Sequence, residues 1–240
     1  MIHTAFIKTR VNSMRIFRFL SGIFFLLAIG AAGGHILTAQ SKQTSADTAS
    51  FPADIYPDTG NRLPAIKRED LDDAGKKLFD AKGPADTYGP GSIRLYSLPV
   101  EQYAETTNDF LHHKAGIDPR IVELVILITA RESDCAYVWN AHEPQGLKAG
   151  LPKETVDVVR YRKPIVGVEE KDAAVIQLGR EVLEKHHVDS ATAAHALKLF
   201  GKQGLVNLVS LMGDYVSTEI LLNTFDQHVR PTEKSLLPMP

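Results

Sequence analysis

Between Ile121 and Ala130 the sequence runs IVELVILITA, ten residues in which Glu123 is the only charge. Apolar side chains on every side of a helix have to be covered on every side, so this run predicts a central helix around which other helices pack. Asp118 is placed to cap it and Pro119 to occupy its first turn, where the missing N–H costs nothing. The polar residues Arg131 to Asp134 end it and lead into a second helix, so the expectation is a helical hairpin. Glu123 is a carboxylate inside the buried run, and burial is expected to raise its pKa. Cys135 falls in the first turn of the second helix, where free backbone N–H groups and the helix dipole favour a thiolate. His142 follows seven positions later, two turns along the same face, with Val138 and Trp139 between.

Taken singly, these residues have ordinary explanations. Glu123 fits a solvated stripe, Cys135 a small buried hydrophobe and His142 a structural histidine. Their convergence on one hairpin is what points to acid, base or thiol chemistry.

Glu123 followed after twelve positions by Cys135-x-x-Val138-x-x-x-His142 resembles the signature of the carboxymuconolactone decarboxylase and alkylhydroperoxidase D-like family. There a glutamate-bearing helix precedes a Cys-x-x-Cys-x-x-x-His segment. The resemblance extends from Arg62–Pro64, through the GPGSIRL segment at 89–95 and AHEPQGLKAGL at 141–151, to about Phe225. Val138 stands where the peroxidase branch has its second cysteine. The resemblance implies an all-α orthogonal helical bundle and a homo-oligomer, a trimer or hexamer; no cofactor is demanded, because a lactone or carbonyl neighbour in the substrate can serve as electron sink. It implies Glu123, Cys135 and His142 as catalytic residues, with Arg94, Tyr137 and Trp139 as candidate substrate contacts. The chemistry expected first is decarboxylation or a related lyase reaction on a small carboxylate or lactone. The alternatives are a thiol peroxidase working through Cys135 alone and a binding module without catalysis. A two-cysteine peroxidase cycle is excluded, because the chain has a single cysteine.

The remaining chain is read as support. Lys8, Arg10, Arg15 and Arg18 flank an apolar run from Phe19 to Ala32, followed by small residues, which is the pattern of a signal peptide over 1–39. Periplasmic or secreted export follows, with a retained anchor as the other reading; for a span the run is short of the roughly 20 residues needed. Its removal takes four of the 27 basic and none of the 29 acidic residues, leaving a net charge of about −6 with histidine neutral. No basic patch for nucleic acid remains. Residues 40–63 read as a flexible tether, 64–230 as the helical domain and 231–240 as a tail that crosses to a partner subunit.

Helices are expected over 69–80, 98–113, 152–160, 167–185, from Ser190 to Phe200, and from Leu205 to Phe225. His112 and His113 read as helix-terminal cations rather than a metal pair, because adjacent residues diverge on a helix. Without a clustered ligand set, no metal is assigned. Asp214 and Tyr215 interrupt the last helix and either line the pocket or satisfy one another.

Overall fold

The computed structural model describes residues 51–81 and 86–240. The signal-like run and residues 40–50 of the expected tether lie outside the described residues. Among the described residues every regular element is a helix, and the one β-bridge joins Tyr56 to Asn61. After a 3-10 turn at Arg68–Asp70 come α1 (Asp73–Ala81), α2 (Pro90–Arg94) and α3 (Leu98–Asp109). A π-helical turn, Phe110–Lys114, extends α3. Then follow α4 (Pro119–Glu132), α5 (Ala136–Lys148), α6 (Lys153–Arg160), α7 (Glu170–Glu184) and α8 (Ser190–Thr224). Gly201, at φ 69 and ψ 175, interrupts α8, so the two helices expected there meet end to end at a break that only glycine adopts readily.

Helix α4 is the axis of the bundle. Every residue from Ile121 to Arg131 is buried, against α5, α6, α7 and α8. Its start matches the expectation: the Asp118 side chain accepts a hydrogen bond from the Arg120 amide, with Pro119 in the first turn. Two neighbours come close because they present glycine. A Cβ on Gly146 of α5 would lie 3.4 Å from the Cβ of Glu123, so this glycine sets how near α5 approaches the carboxylate-bearing turn. A Cβ on Gly179 of α7 would lie 2.5 Å from Cγ2 of Ile128, a β-branched side chain unable to swing aside. Gly179→Ala is therefore expected to destabilise the fold by about 1–3 kcal/mol, overpacking outweighing the gain of roughly 1 kcal/mol in helix propensity. Urea unfolding measures it, and an unchanged midpoint would mean that α7 is free to shift.

Helix α8 is long and apolar enough, by length and composition, to cross a membrane. In the bundle, its Leu208, Leu211, Met212 and Leu222 are buried in the same core as α4 and α7.

Two segments expected to lead away from the domain are built into it. Asn61 is fully buried and its amide donates to Gln227 Oε1 at 2.9 Å, while the Arg62 amide donates to the Phe225 carbonyl at 2.8 Å. The domain thus takes in residues 51–63. At the other end Leu237 is buried, Asn140 Nδ2 donates to the Lys234 carbonyl and Arg131 to that of Pro238, both at 2.8 Å. The tail packs on its own α4–α5 hairpin, because Leu237 and these carbonyls find partners there.

Candidate active site

The α4–α5 turn is tight. Asp134 takes a left-handed conformation at φ 49, and the Cys135 amide bonds back to the Ala130 carbonyl at 2.8 Å. This sends α5 antiparallel along α4, and with Gly146 at the contact it brings His142 onto the Glu123 turn. His142 Nδ1 lies 2.9 Å from Glu123 Oε2, and the two side chains keep 14% and 12% of their surface accessible. The pair is reached from outside.

Behind it the array continues into Tyr215, expected either to line the pocket or to pair with Asp214, and into His112, expected only as a helix-terminal cation. His142 Nε2 lies 3.3 Å from the hydroxyl of Tyr215 on α8, and that hydroxyl lies 2.8 Å from His112 Nε2. Tyr215 is buried at 6% exposure, and burial pushes its phenol up, away from ionisation. Burial, helped by the neighbouring His142, lowers the pKa of His112 and favours the neutral ring. The result is a continuous line, Glu123–His142–Tyr215–His112, drawn from α4, α5, α8 and the π-turn.

Cys135 is not in that line. It is the N-cap of α5 rather than a first-turn residue, and only 2% exposed. The expected thiolate is overturned here. The amides of Val138 and Tyr137 do favour the charged form, but burial is the larger effect, and with the nearby Glu219 carboxylate it pushes the thiol up to about 12. His142, whose ring nitrogens both face other partners, is not available to activate it. Glu219 is fully buried, its Oε2 accepting from Ser133 Oγ at 2.7 Å.

The expected substrate contacts fall elsewhere. Trp139 is fully buried, its Nε1 donating to Glu143 Oε2 at 2.6 Å with the Arg160 guanidinium 5.6 Å from its ring centroid. It is a core side chain, because its indole N–H finds a partner one turn along its own helix. Tyr137 is five positions from His142, about 140° around α5. It lines a separate cleft of about 520 Å³ with Pro144, Arg230 and Leu236. Arg94 donates to Thr218 Oγ1, one turn from Tyr215, and its charge acts on Asp214. Asp214 lines a cleft of about 660 Å³ between α3 and α8, along with Tyr103, Phe110 and Ser217. Among the described residues no group of three or more His, Cys, Asp or Glu is arranged to hold a metal.

No family model matches the sequence, and no curated protein matches it. Among solved structures, it is similar to the crystal structure of an alkylhydroperoxidase AhpD core, an uncharacterized peroxidase-related protein from Ralstonia eutropha JMP134. The match has a TM-score of 0.58 and 14% identity, covering 70% of this chain and 92% of that one. A helical hairpin around a buried α4, no strand among the described residues, and this likeness together identify the chain's fold as the all-α, alkylhydroperoxidase D-like bundle.

Proposed function

We propose that the protein is a proton-transfer enzyme resembling the carboxymuconolactone decarboxylases, with Glu123 as the group that meets the substrate and His142 as its partner. The observation that carries this reading is the 2.9 Å contact between Glu123 and His142 at the accessible edge of an otherwise closed array. Both nitrogens of His142 are engaged, so the carboxyl of Glu123 is the member left to exchange a proton with a ligand. Loss of carbon dioxide from a small lactone or keto acid leaves an electron pair on carbon, held as an enolate. A proton from Glu123 quenches that carbanion, and His142, in contact with the carboxyl through Nδ1, orients it for the transfer. Arg94, already bonded to Thr218, is a weaker candidate for holding the substrate than its sequence position suggests.

The second reading is a one-cysteine thiol peroxidase, favoured by the peroxidase-related solved structure of the same fold. Burial and the protonated state of Cys135 weigh against it, since the thiolate is the nucleophile. Purified protein assayed against small lactone acids and against hydroperoxides separates the two, with Cys135→Ser as the arbiter. That variant is expected to keep lyase turnover within about twofold, because Cys135 touches no group in the proton-transfer line. Peroxide consumption that disappears in Cys135→Ser, with no lyase activity in either protein, would replace the first reading with the second.

A further inference from the structure

We propose that His112 and Tyr215 form an inward proton relay that reloads Glu123 through His142. The relay rests on the proton-transfer reading of Glu123, and the direction of its hydrogen bonds can be worked out donor by donor. A carboxylate at Glu123 only accepts, so the proton between it and His142 sits on Nδ1. In the neutral ring Nε2 is then bare and accepts, and across 3.3 Å the donor is the Tyr215 hydroxyl. Tyr215 has one proton to give. Its oxygen therefore accepts from its other partners, from His112 Nε2–H at 2.8 Å and from the side chain of Asn108, whose bond stabilises the phenolate form as a donor's does. Every bond in the line points from His112 towards Glu123.

Such a line passes protons in one concerted direction without any member holding a full charge for long. Tyr215 suits the middle because burial keeps it protonated. The charges bearing on it from its surroundings, Glu123, Asp214 and Glu219, all oppose a phenolate. His112 suits the outer end. It is half-buried, on the π-turn, beside the exposed His113.

The chemistry of decarboxylation requires such a supply. The carbon–carboxylate bond breaks, the electron pair stays on the substrate carbon, that carbon takes the proton from Glu123, and carbon dioxide leaves. Each turnover thus consumes one proton at a nearly closed site. His142 passes its Nδ1 proton to Glu123 and takes another at Nε2 from Tyr215, which takes one from His112, which takes one from water. Exchange of the ring protons with water returns the two histidines to their starting tautomers, and rotation of the hydroxyl completes the starting polarity. His112 and Tyr215 act through His142 and are positioning and relay residues, not catalytic ones.

The test needs no substrate. With histidine nitrogens labelled in the full-length protein, magnetic resonance is expected to show His142 as the Nδ1–H tautomer and His112 as the Nε2–H tautomer. Exchange of the His142 ring proton with water is expected to slow roughly tenfold or more in Tyr215→Phe. His112→Gln provides the same reading should Tyr215→Phe not fold. An Nδ1–H tautomer at His112 in the unaltered protein, or unchanged exchange in the variants, overturns the relay. The two proposals fail separately. If the tautomers and the slowed exchange hold but no lactone acid is decarboxylated, the relay stands and the lyase reading falls. If a lactone acid is decarboxylated at equal kcat and with the same pH profile by Tyr215→Phe, the relay falls and the lyase reading stands.

Discussion

Replacing Glu123 by Gln, or His142 by Ala, is expected to lower kcat on the lactone acid that the protein turns over by about 10²-fold to 10⁴-fold, the range in which a positioned acid or base contributes. The two substitutions remove different things. Gln at 123 keeps the shape and an oxygen able to accept from His142 Nδ1–H, so the hydrogen bond survives while the transferable proton is lost. Ala at 142 leaves the carboxyl in place but removes the ring that orients and reloads it. Because both act on one proton, their effects should not add, and the double variant should be about as slow as the worse single one. Steady-state kinetics measure this, with unfolding midpoints showing that the site is folded. Both variants retaining kcat within threefold would return Glu123 and His142 to the role of a structural pair in a buried hairpin.

The part of the site that was legible in the sequence is the part written by a strong local rule. A run as apolar as Ile121–Ala130 has to be central, so the carboxylate within it stands out, and the helical hairpin brings His142 onto the face beside it. Tyr215 was within reach of the same rule. Leu208, Leu211, Met212, Tyr215, Glu219 and Leu222 follow three- and four-residue steps on α8, and the two polar members of that stripe are both buried. What blurs them is the surrounding helix, which is apolar on several sides, so that its core stripe does not stand out.

His112 was not legible at all. In a regular helix, residues 112 and 113 fall about 100° apart and neither has a reason to face the core. The wider π-turn at Phe110–Lys114 changes that register and turns the His112 ring towards Tyr215. No residue in FLHHK marks such a turn. The state of Cys135 failed for a different reason: helix position argues for a thiolate and burial argues against it. Burial is the larger effect, and the charge of Glu219, 84 residues further on, adds to it from a place that only the folded bundle brings nearby.

Glu219→Gln is expected to leave stability nearly unchanged at pH 4 and to raise it by about 3–5 kcal/mol at pH 9, a large share of the 5–15 kcal/mol typical of a folded domain. Burial pushes the Glu219 carboxyl up from 4.5 to about 8, and the hydroxyls of Ser133 and Thr129 offset this only in part. Below 4.5 the carboxyl is protonated in both the folded and the unfolded chain, and it contributes no pH dependence. Between 4.5 and 8 the unfolded chain ionises it while the bundle keeps it neutral, so unfolding releases a proton and stability falls as pH rises. Above 8 the penalty is complete, at roughly 1.4 kcal/mol for each tenfold weakening of the acid. Gln keeps an oxygen to accept from Ser133 Oγ and has no proton to lose, so it removes the penalty without emptying the site. The low-lying carboxyl of Glu181, held down first by its bond from Gln177, titrates near 2 in both proteins and cancels from the difference. Urea unfolding of the two proteins at pH 4, 6, 7.5 and 9 measures that difference directly. A gap that stays constant across the four values would mean that Glu219 ionises inside the bundle as freely as outside it. The buried neutral acid beside Cys135 would then be wrong, and a full carboxylate there at neutral pH would hold that thiol protonated all the more firmly.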